Sequence, residues 1–504
     1  MSLDYSKLQN GSDIRGVALP GEEGKAVNLT RTEAIRLTLG FAKWLSEKTG
    51  KEAGELKFSV GHDSRLTAEE LKNAICDAFG IIGAQVLDCG LASTPAMFMS
   101  TIFEEYDCDG AIMITASHLP FTRNGFKYFD KDGGLNKPDI TSIIRYAEAA
   151  ELPEEIKSNE VPKASLMTTY ANHLKNMIID QVNSKTCHDK PLTGLKIVVD
   201  AGNGAGGFYA RDILEPLGAD VTGSQFLEPD GNFPNHAPNP EDKKAMASIC
   251  KAVIDNNADF GLIFDTDVDR SSAVDGAGKE INRNAIVAMA AALIAKEHPG
   301  TTVVTDSITS DQLTDYIEKC LGLKHLRFKR GYKNVINKSM ELNEAGIDSQ
   351  LAIETSGHAA YKENYFLDDG AYLATKIVIK AAQLKASGAA LNVVLESLEE
   401  PIESVEYRFG IKREDFSNYA DQVLDGLKGW AEGKKGKEKG ASLVEPNYEG
   451  IRINFKNHEV NGWCLLRKSL HDPQMPLNIE VTEGSCQIIM DYLMEYLGAM
   501  DLKL

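Results

Sequence analysis

Three observations predict an α/β protein assembled from layered domains. Short apolar runs alternate with stretches of helical periodicity, strand after strand ends in a polar loop, and beyond Pro401 the pattern changes to strands with one long final helix. Alternating strands and helices imply βαβ units whose loops gather at one edge of a sheet, where α/β proteins place their chemistry. A chain of 504 residues has room for three or four domains, each with its own core.

Taken in order, the first segment (1–160) opens with the glycine-bracketed loop Gly11-Ser12-Asp13-Ile14-Arg15-Gly16, whose Arg15 is placed to reach an anion. A helix is expected over 32–48, a strand over 57–61 with Asp63 and Arg65 at its exit, a helix over 68–82 and a strand over 84–88. Thr94-Pro95 opens another helix. The apolar run 111–114 then breaks into Thr115-Ala116-Ser117-His118 just before Pro120, so Ser117 sits at a strand exit with Arg123 and Lys127 following. A serine flanked by fixed cations suits phosphate; the plain alternative is a turn residue. His118 lends no support to a hydrolase, since adjacent side chains point apart and a triad is built in space.

A polar stretch over 151–162 reads as a linker. The second segment (161–281) repeats the plan: a strand over 195–200, a glycine turn over 202–207, a helix over 208–217, a short strand over 220–222 and a helix over 241–256. The strand 260–264 then runs into Asp265-Thr266-Asp267-Val268-Asp269-Arg270. The third segment (282–400) carries a strand over 301–305, the basic loop Arg327-Phe328-Lys329-Arg330, the loop Glu354-Thr355-Ser356-Gly357-His358 and a helix over 371–385. In the fourth (401–504), 433–440 (GKKGKEKG) reads as a solvated insertion, Arg467-Lys468-Ser469 follows a strand over 463–466, and a final helix spans 485–497.

The formal charge of −20 argues against nucleic-acid and anionic-membrane partners, which need a basic face. Eight scattered cysteines without metal-like spacing, and an N-terminus without a secretory pattern, fit a reduced cytoplasmic protein. The Ala-rich run 285–295 is too short for a membrane span and reads as a buried amphipathic helix.

Asp265, Asp267 and Asp269, on alternate positions at a strand exit, converge as hard oxygen ligands if the backbone turns, and such a set suits Mg²⁺. An EF-hand is excluded, because its glycine position holds Arg270 and its last ligand position Gly276. The rivals are a solvated acidic turn and an aspartyl-phosphate nucleophile of haloacid-dehalogenase type; the latter leaves the serine loop without a task. Gly202, Gly204 and Gly207 match a dinucleotide fingerprint, but the acidic ribose partner is missing, and they read as a tight, closely packed turn. Glu354 and Ser356 pair an acceptor with a hydroxyl, as a sugar site needs, and His358 adds a group that titrates near neutrality.

Together these stretches resemble the α-D-phosphohexomutase superfamily, the phosphomannomutase/phosphoglucomutase group in particular. The likeness runs in order along the chain: GSDIRG, VGHDSR, TASHLPFTRNGFK, EPDGNFPNHAPNP, FDTDVDR, ETSGH with DDG, and LLRKSLHDP. It implies four domains around a central cleft, three related α/β layers and a smaller C-terminal sheet-plus-helix domain.

It also implies a Mg²⁺-dependent enzyme interconverting hexose 1- and 6-phosphates through a phosphoserine and a hexose 1,6-bisphosphate. Ser117 would carry the phosphoryl group, Asp265, Asp267 and Asp269 the metal, with Arg15 and Arg270 on the phosphate and Lys127 and His358 as acid/base candidates. Glu354, Ser356 and Lys329 match substrate-binding positions; Arg467, Ser469 and, by substitution, His471 match the phosphate anchor. The resemblance leaves open a phosphoglucosamine mutase, a non-catalytic sugar-phosphate regulator, and either a monomer or a homodimer. Two departures stand out: Leu119 replaces the usual asparagine after the serine and histidine, and Leu470-His471-Asp472 replaces the usual anchor residues, with His471 and Lys468 as the substitutes.

Overall fold

The computed structural model describes residues 4–184, 187–469 and 472–504. The chain divides into two compact units. One runs up to Ile294 and adds 350–352 and Ser356–Glu396; the other comprises Ala295–Ser349, Ile353–Thr355 and Ser397–Leu504.

The first unit opens with a seven-stranded sheet. Its order is Gln9–Asn10, Asp13–Val17, Arg123–Asp130, Gly110–Ile114, Lys57–His62 and Gln85–Leu91, with Gly133–Gly134 paired to Arg123–Asp130. Gly110–Ile114, Lys57–His62 and Gln85–Leu91 run parallel, as helix crossovers require, while Arg123–Asp130 returns antiparallel. All five residues of Gly110–Ile114 are buried, as expected for a strand covered on both faces. Helix Arg31–Thr49 starts at Thr30 in a capping box with Glu33 and stops at Gly50, which takes the left-handed conformation.

A second, four-stranded sheet has the order Glu280–Ile281, Ser271–Asp275, Phe260–Phe264, Ile197–Asp200. Helix Lys243–Asp255 buries Ala245, Met246, Ile249 and Val253 in the core beside it. Two local expectations fail. The helix expected over 208–217 shortens to a wide π-type turn at Tyr209–Leu214, and the strand over 220–222 reduces to one bridge between Asp220 and Lys196. The segment is short, and Gly218 ends it. Helix Asn284–Ala295 is buried on almost every side rather than amphipathic. No described helix is long and apolar enough to cross a membrane, and all eight cysteines are free.

The second unit contains the parallel pair Thr302–Thr305 and Lys324–Arg327 and helix Tyr332–Glu344. It also holds a six-stranded antiparallel sheet ordered Ala441–Leu443, Ile451–Lys456, Asn461–Leu466, Gln474–Glu483, Glu403–Ile411, Leu502–Lys503. Helices Phe416–Glu432 and Cys486–Leu497 bury Val423, Leu427, Ile489 and Leu493 with sheet residues Phe455, Leu466, Leu477 and Ile479. The stretch read as a solvated loop contains a helical turn, Lys434–Glu438, anchored where Gly436 is buried against the backbone of Trp430 and Ala431.

Candidate active site

The serine loop leaves the most buried strand of the first sheet. Ser117 has φ +50°, a conformation costing a non-glycine residue roughly 1–3 kcal/mol, so its surroundings must hold it. They do so from several sides. Thr115 Oγ1 accepts the Ser117 N–H at 2.9 Å and donates to Asp63 Oδ2 at 2.7 Å. Arg65 donates to the carbonyls of Ser117, Leu119 (2.7 Å), Pro120 (2.9 Å) and Arg123 (2.9 Å), and its Nε lies 3.3 Å from Asp63. Asp63 and Arg65 are fully buried and would be costly without each other. Composition and spacing mark Arg65 only as a polar residue at a strand exit; its work on the serine loop depends on residues more than fifty positions away.

The acidic turn is the hairpin between Phe260–Phe264 and Ser271–Asp275, which pair Phe264 with Ser271. Val268 has φ +63° although it is β-branched and fully buried; this left-handed step gives the reversal that alternate aspartates need in order to converge. Gly204 backs the turn: a Cβ there would lie 2.5 Å from the Thr266 carbonyl, so only glycine fits. The expectation of close packing at these glycines is met. Thr266 Oγ1 donates to the Ser117 carbonyl at 2.8 Å, tying the two loops together.

Ser117 Oγ donates to Asp265 Oδ2 at 3.2 Å and accepts from Arg270 Nη2 at 3.1 Å. Arg270 also donates to Asp265 at 3.0 Å, to Asn239 Oδ1 at 3.1 Å and to His118 Nδ1 at 2.8 Å, which keeps that ring nitrogen in its unprotonated, accepting form. Asp265, Asp267 and Asp269 are completely buried and offer ligand atoms within 4.8 Å of one another. Burial and the negative Asp269 and Asp267 push the Asp265 carboxyl well up from the usual carboxylate range. Asp267 Oδ1 and Asp269 Oδ1 have no hydrogen-bond partner among the described residues. Two unpartnered buried carboxylate oxygens, in a trio whose ligand atoms lie within 4.8 Å of one another, fit a hard divalent cation.

Lys127 contacts Asp269 and lies 3.2 Å from Asp267. Arg123, one of the two cations that follow Ser117 in the sequence, is forked onto Glu22. Arg15 donates to the Thr115 carbonyl and pairs with Asp13 at 2.8 Å, which sets it against the base of the serine loop. His358 departs from the near-neutral titration expected of it. Burial pulls its pKa down, but Asp368 and then Asp269 outweigh that and raise it to about 9, so the ring is charged at neutral pH. The sequence marks Asp368 and Asp369 only as part of the DDG motif, without roles; Asp369 caps helix Gly370–Ala386 and accepts from Tyr170 Oη at 2.7 Å.

Glu354 and the basic loop belong to the second unit. Glu354 Oε1 accepts the Gly331 N–H at 2.7 Å, and Thr355 Oγ1 donates to Asp306 at 2.9 Å. Lys329 is exposed. Arg467 is 8% exposed, with its Nε lacking a hydrogen-bond partner among the described residues; Glu406 lies 3.8 Å from its Nη2. Burial, followed by the nearby positive Arg330, lowers its pKa. Ser469 Oγ accepts the Asp472 N–H at 3.2 Å. Lys468 is bound to Asp421 at 2.8 Å, away from an anchoring role. Leu470 and His471 lie outside the described residues. Ser356 is buried in the first unit on the loop that carries His358.

Residues 6–153, 168–278 and 282–400 match, in turn, alpha/beta/alpha domains I, II and III of phosphoglucomutase/phosphomannomutase. A phosphomannomutase/phosphoglucomutase of Pseudomonas syringae pv. tomato is 30% identical over 467 residues, 92% of each chain. A phosphoglucomutase of Neisseria meningitidis is 28% identical over 470 residues, 93% of this chain and 91% of its own. Among solved structures, a phosphoglucomutase/phosphomannomutase family protein from Burkholderia thailandensis superposes with TM-score 0.77 at 25% identity, covering 98% of both chains.

Proposed function

The chain belongs to the phosphoglucomutase/phosphomannomutase family, and from that premise we propose that it interconverts the 1- and 6-phosphates of a hexose, mannose or glucose, through a phosphorylated Ser117. The observation that carries this reading is the meeting of the Ser117 hydroxyl with Asp265 and Arg270 beside two further buried aspartates. A phosphoryl group on serine adds about −1.5 to −2 charges, which is tolerable there only with cations at hand.

In the proposed cycle the bond from phosphorus to Ser117 Oγ breaks as one forms to a sugar hydroxyl oxygen, giving a hexose 1,6-bisphosphate. The bisphosphate turns round and returns its other phosphoryl group to Ser117. Arg270 holds the anionic oxygens as they move, and Arg15 supports the loop that presents them. Lys127 is the first candidate to exchange the proton at the sugar hydroxyl, and the charged His358 the second. Asp265, Asp267 and Asp269, with an oxygen on Ser117, would hold Mg²⁺, which would supply neutralisation of the transferring group. Glu354 and Ser356 grip sugar hydroxyls, Lys329 contacts substrate, and Arg467 with Ser469 and His471 anchors the phosphate that does not react; Arg467 suits this because a guanidinium fork binds phosphate bidentately. The eight free thiols support a cytoplasmic setting.

Intact mass after exposure to glucose 1,6-bisphosphate tests the reading. One added phosphate, lost in Ser117→Ala, together with turnover of glucose or mannose 1-phosphate, is expected. A chain that binds hexose phosphates without taking up phosphate is a regulator, and one that turns over only glucosamine phosphates is a phosphoglucosamine mutase.

A further inference from the structure

The second unit holds a cavity of about 340 Å³ that none of the roles above uses, lined by Asp311, Gln312, Asn454, Trp463 and Glu480, with Glu399 among its acidic residues. Its size falls at the small end of the range for small-molecule sites. Its inner wall presents three buried acceptors without hydrogen-bond partners among the described residues, beside the buried Trp463 indole N–H. Glu480 is 7% exposed; its Oε1 accepts from Ser404 at 3.1 Å, while its Oε2 is buried with no hydrogen-bond partner among the described residues. Gln312 Oε1 and Asn454 Oδ1 are also buried, without a partner among the described residues. An unmade hydrogen bond to a buried polar group costs roughly 1–3 kcal/mol, more where the group is charged.

The protein's own cations do not meet this need. Arg452 stacks 3.6 Å from the Trp463 ring and commits its guanidinium to the carbonyls of Ser307 and Thr309 and to Asp311. Burial raises Glu480 to about 7, and Arg452 and the Trp463 indole N–H offset this only in part. Asp315 is already paired with Lys319, and among the described residues of the lining Lys456 is the one lysine and is exposed; Glu399 is exposed too. An anion would meet these carboxylates, an apolar guest would leave three acceptors unpaired, and a bare metal ion would fill little of the volume.

We propose that this cavity binds a small organic cation, a primary ammonium compound with further hydrogen-bond donors, whose ammonium group donates to Glu480 Oε2 and its amide neighbours while its other end faces Glu399. Calorimetric titration of the full chain with putrescine, ethanolamine, tetramethylammonium and xylitol tests it. Saturable binding of putrescine or ethanolamine is expected, about tenfold or more tighter than tetramethylammonium, which carries the charge without N–H donors. Glu480→Gln should weaken that binding about tenfold. Because Glu480 is buried and its replacement also tests folding, a second variant is needed: Glu399→Lys, at an exposed position, should weaken binding similarly with mutase turnover unchanged. Absence of saturable amine binding, equal affinity for tetramethylammonium, binding of xylitol alone, or undiminished affinity in Glu399→Lys overturns the proposal.

Discussion

Ser117 sits in a backbone conformation it would not choose, with its carbonyl held by Arg65 and Thr266 and its hydroxyl between Asp265 and Arg270. Replacing it with alanine should abolish phosphate uptake in intact mass and lower turnover by at least about a thousandfold, because the covalent route is lost while the other groups remain. Arg65→Met should cost about 3–5 kcal/mol in denaturant unfolding, since it strands the buried Asp63 and frees four carbonyls. At this scale the sequence was legible where chemistry was written locally. The alternate aspartates and a serine at a strand exit carry their meaning in their spacing. Arg65, Asp368 and Arg330 do not, because each acts on groups brought to it by folding.

At the scale of elements, the strand ends were predictable and the turns between them less so. The apolar run before Asp265 predicted a strand, but the hairpin geometry depends on a left-handed valine and on Gly204 lying against Thr266. Gly204→Ala should therefore destabilise the first unit by about 2 kcal/mol or more and weaken divalent-cation binding, read by thermal shift with and without Mg²⁺. A second element-level device joins Asp200, at the end of Ile197–Asp200, to His236 at 3.0 Å. Burial lowers the His236 pKa, but the hydrogen bond to Asp200 and its charge outweigh this and raise it above its ordinary value of 6.5. A raised folded pKa means that the pair's contribution is complete below the unfolded pKa and is lost as pH rises through the folded one. Stability measured by urea unfolding should fall over that window above pH 6.5, and His236→Asn should flatten the decline.

For the whole molecule, the two compact units carry separate cores, so heating should give more than one calorimetric transition rather than a single two-state one. All three aspartates of the acidic turn lie in the first unit. Added Mg²⁺ at about a hundredfold above its dissociation constant should stabilise that unit by about 2.7 kcal/mol and leave the other transition in place. Asp267→Asn should remove the shift.

The sequence by itself determined the layered α/β plan, the change of architecture after Pro401, and the placing of Ser117 and the alternate aspartates at strand ends, because periodicity and local spacing report burial and strand ends directly. Only the tertiary structure decided which cations remain available to an anion: Arg123 is spent on Glu22 and Lys468 on Asp421, whereas Arg270 meets Ser117. It also decided that His358 is charged, through an aspartate ten positions away in the chain that a hairpin folds back onto it. Charge pairing and desolvation are properties of distances through space, and spacing along a chain does not contain them.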